Sequence, residues 1–256
     1  MRENACLNCG AGLISKFCHE CGQSSHTGRI TLKHFFVHDL LHGLWHVDKG
    51  LLYTFLQVFF KPGIVAANYL AGRRKRYYNF FYLILLCVGI NYLLSNLLDS
   101  WLGLQPSETL APTDDNRINL KQSFAGNYKW LILSALPLFA FTSLAIFRRI
   151  KLNIAEHTIV SAVMVLSGSA WAMLYNLWYY LTIRIEWDYI TLPLVAFACW
   201  ILLVPILVFW QMNRHLYTVA GFSWRVLCWY LINLLYMLIL VLILNTLLGK
   251  TEILLF

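Results

Sequence analysis

The stretch RVLCWYLINLLYMLILVLILNTLL, residues 225–248, decides the class of fold, because after Arg225 it carries no charged side chain. An apolar run close to the roughly 20 residues that cross a bilayer as a helix is typical of a transmembrane segment. Further apolar runs of this kind lie at 79–99, 129–148, 157–183 and 189–210. The sequence therefore predicts an all-α multi-pass membrane protein with about five transmembrane helices.

The composition agrees with that class. Of the 256 residues, 59% are hydrophobic and 12% are charged, whereas a soluble domain is about half apolar and a quarter charged. The polar residues in the middle of the spans are uncharged, and Asn91, Asn176, Asn233 and Asn245 are of the type that hydrogen-bonds between helices. Ion-coupled transporters need charged groups inside the membrane, so this class is disfavoured.

The N-terminus carries a metal-binding pattern made of two C-x-x-C pairs. The cysteines are Cys6, Cys9, Cys18 and Cys21. Two such pairs form the tetrahedral four-sulfur shell of a structural zinc ion. Gly10 and Gly22 follow the pairs and suit the tight turn at each one. Residues 1–28 are therefore predicted to form a zinc ribbon, in which four thiolates leave no open position for catalysis.

The charge distribution of this ribbon indicates which class of binding partner it favours. The chain has a net charge of +8, but the ribbon lacks the dense basic stripe with interleaved aromatic residues that favours nucleic acid. Nucleic acid is therefore an unfavoured partner. A protein partner, bound through the ribbon and the segment that follows it, fits better, with the lipid bilayer as the second environment.

That following segment, residues 29–77, is amphipathic and predicts interfacial helices ahead of the transmembrane region 78–256. Histidines recur in it at four-residue spacing: His34, His38, His42 and His46. Positions i and i+4 share one helix face, which suits chelation of a divalent metal by a neighbouring pair. All four drift through about 120° of a straight helix, too far for one ion. The alternative is a polar face that contacts headgroups or protein.

Glu156 and His157 open the third predicted span on the same side of the membrane. A second metal site would use these ligands: His38, His42, His46 and His157. Glu156 would then be a further ligand or the general base of a reaction. The alternative is structural, with Glu156 stabilising the N-terminal dipole of its helix and His157 resting at the interface.

The distribution of basic residues predicts the orientation. Lysines and arginines lie at 73–76, 148–151, 214 and 225, whereas the acidic loop 100–128 and the C-terminal tail lie across the membrane from them. The basic side is cytoplasmic by the positive-inside rule. The N-terminus is therefore predicted to be cytoplasmic, a reducing compartment that suits free thiolates, and the C-terminus periplasmic or extracellular.

Short motifs spread over the chain resemble an uncharacterised bacterial family, a domain of unknown function that joins a zinc ribbon to a multi-pass membrane region. The motifs are CHECGQ (18–23), HVDKG (46–50), KPG (61–63), YLAGRR (69–74) and AEH (155–157). The resemblance is most specific over residues 6–80 and around 155–157. It implies a bacterial inner-membrane location and includes the histidines and Glu156-His157 in the family pattern, but it implies no activity.

Three functions are compatible with these features. The first is a non-catalytic docking or assembly subunit for a protein partner. The second is a metal-dependent enzyme at the membrane interface, acting on a lipid-like substrate through the histidines and Glu156. The third is a carrier of a hydrophobic solute. A coordinatively closed ribbon and spans without buried charge favour the first, and whether the chain has any catalytic activity stays open.

Overall fold

A computed structural model of the chain describes residues 5–31, 50–102, 117–119, 134–185, 191–213, 215–247 and 252–254. Its helices after the N-terminal ribbon are α1 (Gly50–Phe60), α2 (Pro62–Leu70), α3 (Phe80–Leu102), α4 (Ser134–Ile146), α5 (Ile154–Ile185), α6 (Thr191–Asn213) and α7 (Val219–Leu247). A single 3-10 turn, Arg148–Ile150, links α4 to α5. Two short strands, β1 (Arg117–Asn119) and β2 (Glu252–Leu254), pair in parallel.

The helices α3, α5, α6 and α7 contain apolar stretches long enough to cross a membrane. These stretches are Phe80–Leu98, Ile154–Thr182, Leu194–Asn213 and Val219–Ile243. The multi-pass helical class is thus confirmed, and four of the predicted spans coincide with these stretches. For the remaining predicted span, 129–148, the described helix Ser134–Ile146 is apolar but shorter than a full crossing.

Two spans begin earlier than hydropathy alone predicts. Helix α7 starts at Val219 rather than at 225, because the charge of Arg225 does not end the helix: its Nη1 donates to the carbonyl of Gly221 at 2.8 Å. Helix α5 starts at Ile154 rather than at 157, because Asn153 caps it. Local hydrogen bonds, which a hydropathy window does not register, therefore set these boundaries.

Helix α5 is the centre of the bundle. Within its spanning stretch 56% of the residues are buried, against 22% in each of the other three. Small side chains face its neighbours, among them Ser161, Ala162, Ser167 and Ala170, all almost fully buried. Small residues let transmembrane helices approach closely, so α5 can be surrounded on several sides.

Helices α3 and α5 run parallel, as two contacts in register show. Asn176 Nδ2 donates to Asn91 Oδ1 at 2.8 Å, and one turn further along both helices Tyr180 donates to the carbonyl of Ser95 at 3.4 Å. The sequence prediction that asparagines hydrogen-bond between spans is confirmed for Asn91 and Asn176, whereas Asn233 donates to the carbonyl of Trp229 within its own helix. Because α3 and α5 point the same way, the chain must return between them, and α4 forms part of that return.

The short helices α1 and α2 pack on the long ones. Thr54 in α1 accepts a hydrogen bond from the backbone of Tyr78 at 2.7 Å, just before α3 begins. Further along α1, the Phe59 ring stacks on Trp171 of α5, with the ring centroids 4.6 Å apart. In α2 the amide of Ile64 donates to the side chain of Gln211 in α6 at 3.1 Å. This packing fixes the loop after α2 against the end of the bundle where the ribbon attaches.

Candidate metal centre

The four predicted cysteine ligands converge on one point. The Sγ atoms of Cys6 and Cys21 are 3.6 Å apart, those of Cys9 and Cys18 are 3.5 Å apart, and all four lie within 4.8 Å of one another. A tetrahedral ion with metal–sulfur bonds of about 2.3 Å separates its ligands by about 3.8 Å. The cluster therefore fits a tetrahedral metal ion, which supports the predicted ligand set.

The convergence follows from the same hairpin built twice. In the first, the amide of Gly10 donates to the carbonyl of Cys6 at 2.8 Å; in the second, Gly22 donates to Cys18 at 2.8 Å. Both glycines have positive φ, 80° and 71°, a conformation that costs other residues strain. The bridges Ala5↔Gly12 and Phe17↔Ser24 close the two hairpins. Each hairpin thereby presents two sulfurs, as the spacing predicts.

The pKa values of two of the thiols, Cys9 and Cys21, are shifted in opposite directions. For Cys21, burial raises the pKa, but the backbone amide of Gln23 and the side chain of Asn8 outweigh it by donating to the sulfur, so that the pKa falls to about 6. For Cys9, the amide of Ala11 lowers the pKa, yet hydrogen bonds with the other thiols raise it to about 12. A metal ion that needs four thiolates therefore competes with protons for the cluster.

The ribbon is joined to the helical region first through Gln23, which is buried. Its Nε2 donates to the carbonyl of Gly72 at 2.8 Å, and its Oε1 accepts from the amides of Arg74 and Lys75 at 3.1 and 3.2 Å. A larger residue at position 72 would be strained, because the backbone there has a φ of 91°, and its Cβ would displace the Leu7 side chain. The second hairpin is thus hydrogen-bonded to the loop between α2 and α3.

A second attachment joins the segment after the ribbon to α5. Arg29 donates to both carboxylate oxygens of Glu156, each at 2.9 Å, and to the carbonyl of Lys151 at 2.7 Å. This bidentate geometry is the stronger form of an arginine–carboxylate pair. The hydrogen bonds that Arg29 donates to Glu156, and the negative charge of that carboxylate, raise the pKa of Arg29. The ion pair therefore joins the N-terminal segment to the start of the central helix.

Glu156 also caps α5. Its Oε2 accepts from the amide of Asn153 at 2.8 Å, while Asn153 Oδ1 accepts from the amide of Glu156 at 2.9 Å. This is the reciprocal arrangement of a capping box. Asn153 Nδ2 donates in addition to the carbonyl of Ile30 at 2.8 Å. The carboxylate proposed as a catalytic base is thus engaged in the helix cap and the ion pair.

His157 faces the inside of the bundle, with 1% of its surface exposed. Its Nδ1 lies 2.8 Å from Ser143 Oγ in α4, and that hydroxyl donates to the carbonyl of Ala140 at 3.0 Å. His157 therefore links α4 to α5.

The histidines His34, His38, His42 and His46 lie outside the described residues, so their placement relative to Glu156 and His157 stays a prediction. Within the described ranges, the four cysteines are the group of three or more Cys, His, Asp or Glu side chains placed to hold a metal ion. The structure brings Glu156 together with Arg29 and Asn153, neither of which the sequence analysis selected. The Asn-x-x-Glu spacing of a capping box was the available signal.

An apolar cavity of about 460 Å³ lies among α4, α5, α6 and α7. Its buried polar side chains are those of Ser169, Trp229 and Asn233. The Nε1 of Trp229 and the Oδ1 of Asn233 have no hydrogen-bond partner among the described residues. Buried polar atoms are paired in most proteins, so this donor and this acceptor suit a polar group on an otherwise apolar occupant.

Comparison with known proteins gives one family match. A family model described as protein of unknown function (DUF3667) matches residues 48–90, which cover α1, α2 and the first half of α3. The matched region contains the loop that holds Gln23, and it fits the uncharacterised family that the motifs resemble. The comparisons with curated proteins and with solved structures gave no match.

Proposed function

We propose that this chain is a non-catalytic docking subunit of a bacterial inner membrane, whose zinc ribbon receives a soluble protein partner. The supporting observation is that the ribbon is attached to the helical region through Gln23 and through Arg29 just after it, while the loop between its hairpins and the start of the second hairpin present apolar side chains to water. Ile14 is 90% exposed and Phe17 is 61% exposed. Exposed apolar side chains on a rigid support suit a protein interface.

The metal in this proposal is zinc, in a structural role. Zinc prefers tetrahedral thiolate coordination, and the sulfur separations suit it. With all four positions taken by protein, the ion has none left for water or substrate. It would hold the two hairpins together and thereby fix the loop that carries Ile14 and Phe17.

The proposed orientation places the ribbon in the cytoplasm. The ribbon contacts the loop 71–76, and Arg29 just after it contacts the turn 148–153; described basic residues cluster in both segments. The positive-inside rule assigns such an end to the cytoplasm. The return of the chain between α3 and α5 would give five crossings and a C-terminus on the opposite side.

The enzyme alternative has less support. Both oxygens of Glu156 are engaged by Arg29 and the cap, and Nδ1 of His157 is engaged by Ser143. A reaction would have to break these bonds before either group could act on a metal or a substrate. Carriage of a hydrophobic solute is a second candidate, which the apolar cavity with Trp229 and Asn233 favours.

Site-specific photocrosslinking tests the docking proposal. A photoreactive residue at Ile14 should give a discrete adduct with one protein in living cells, whereas the same residue at Glu20, another exposed ribbon position, should not. Phe17→Ser should abolish the adduct and Phe17→Leu should retain it, with metal content unchanged in both. Identical adducts from positions 14 and 20, or indifference to Phe17→Ser, would contradict the proposal.

A further inference from the structure

A second cavity, of about 400 Å³, is basic and lies at the start of α7. Arg149, His215, Tyr217 and Arg225 line it together with residues of the turn before α7. None of the lining residues is acidic. The cavity is therefore suited by charge to an anion, and none of its residues belongs to the metal centre or to the ribbon attachments.

The two arginines are held on one aromatic ring. The guanidinium carbon of Arg225 lies 4.6 Å from the centroid of Tyr217, and that of Arg149 lies 5.9 Å from the same centroid. Each contact is favourable by itself, but together they bring two positive charges close to each other. Arg225 uses Nη1 on the carbonyl of Gly221, and a guanidinium has further N–H donors for a ligand.

Tyr217 supplies an independent indication of a ligand. It is 8% exposed, and its hydroxyl has no hydrogen-bond partner within the part of the chain that the structure describes. The Phe147 ring contacts it edge-on, with the centroids 6.0 Å apart, so the tyrosine is packed in place. A buried hydroxyl left unpaired has a free-energy cost, which a phosphate oxygen would remove by accepting from it.

Two features of α7 also favour a ligand in this cavity. The helix begins at Val219 with no acidic residue in its first turn, so the positive end of its dipole is not neutralised by a side chain. Leu216, Val219 and Trp224 are exposed beside the cavity, and tryptophan is enriched where membranes meet water. The surroundings therefore suit a ligand with both an anionic and an apolar part.

From this geometry we propose that the cavity binds the phosphate of an anionic lipid headgroup, with Arg149 and Arg225 as the charged contacts and the Tyr217 hydroxyl as a neutral donor. The acyl chains would lie along the exposed apolar residues of α7. The same phosphate chemistry would suit a soluble phosphate, but the exposed apolar border favours the lipid. This inference does not depend on the docking function.

Lipid titration of the purified protein tests the proposed lipid site, with the number of bound lipids measured by native mass spectrometry. Phosphatidylglycerol should bind with saturation, phosphatidylcholine should bind much more weakly, and inorganic phosphate at millimolar concentration should not compete. Arg149→Gln combined with Arg225→Gln should weaken phosphatidylglycerol binding by about tenfold or more, and Tyr217→Phe by about threefold. Displacement of the lipid by inorganic phosphate alone would overturn the lipid assignment.

The matched control is Arg148→Gln, because Arg148 has the same charge, stands next to Arg149 and donates to the carbonyl of Ala145 instead of lining the cavity. It should leave binding unchanged. Equal weakening by Arg148→Gln, or no weakening by the double variant, would mean diffuse attraction to a basic surface and would overturn the proposal. Circular dichroism and metal content show whether each variant is folded, and Tyr217→Phe, which only removes a hydroxyl, retains the test if the double variant is not.

Discussion

Gln23 shows how much one side chain contributes to the arrangement. It satisfies one carbonyl and two amides of the loop between α2 and α3, at distances of 2.8 to 3.2 Å. A glutamine suits this role because its amide group both donates and accepts. Leucine or lysine at this position would leave buried backbone groups unpaired.

We expect Gln23→Ala to loosen the ribbon without removing its metal. The cysteines stay in place, but the loop loses three hydrogen bonds, and the free energy that holds the ribbon against it should fall by about 2 kcal/mol. Hydrogen exchange of residues 5–31 and trypsin cleavage at 73–76 should both become faster. Gln23→Glu keeps the acceptor and loses the donor, so its effect should be intermediate.

The control for this prediction is Lys16→Ala, an exposed change in the same ribbon. It should leave hydrogen exchange and cleavage unchanged. If Gln23→Ala behaved like Lys16→Ala, the ribbon would be held mainly by other contacts.

At the scale of the element, the first turn of α5 combines a helix cap with a tertiary contact. The capping box of Asn153 and Glu156 satisfies amides that a helix start leaves without partners, and the same two side chains bond Arg29 and the carbonyl of Ile30. The helix start and the docked N-terminal segment should therefore lose stability together.

A double-mutant cycle with Arg29→Gln and Glu156→Gln should give a favourable coupling free energy. We expect it to be small, because Arg29 is exposed and solvent screens the pair. Denaturant unfolding that follows α5 would measure it. The exposed pair His19–Glu20, at 3.6 Å, is the control cycle and should give no measurable coupling. A coupling free energy no larger than that of this control would mean that the ion pair of Arg29 does not hold the N-terminal segment against α5.

At the scale of the whole molecule, the metal count separates the proposed functions. We expect one zinc per chain by elemental analysis, and none after Cys9→Ser combined with Cys21→Ser, because two thiolates cannot complete a tetrahedral site. His42→Ala and His157→Ala should not change the count. A second metal that persists in the cysteine variant and is lost with either histidine would instead support the enzyme alternative.

The orientation is tested on unmodified protein with a membrane-impermeant lysine reagent. In intact cells Lys16 and Lys75 should remain unlabelled, whereas Lys121 and Lys250 should react, as peptide mass spectrometry would show. After the membrane is permeabilised all four should react. Labelling of Lys16 in intact cells would reverse the proposed sidedness and remove the cytoplasmic partner.

Much of the architecture could be predicted because its signals are local. Each spanning helix is indicated by a continuous apolar run. The four cysteines that could hold a metal ion are indicated by their spacing within two short hairpins. Helix ends were less accurate, since Asn153 and Arg225 act through hydrogen bonds that hydropathy does not contain. Glu156 was selected as a candidate metal ligand or catalytic base. Without its tertiary contacts, the sequence could not distinguish a catalytic base from a helix-capping residue.

The sequence by itself determined that this chain is a helical membrane protein with a cluster of four cysteines that could hold a metal ion, because burial in lipid and tetrahedral coordination depend on neighbouring residues. Only the tertiary structure decided where the ribbon is held and what Glu156 and His157 contact. Arg29 and Glu156 are 127 positions apart, and Gln23 and Gly72 are 49 apart. Such pairs meet only after the helices have packed, and no periodicity along the chain encodes them.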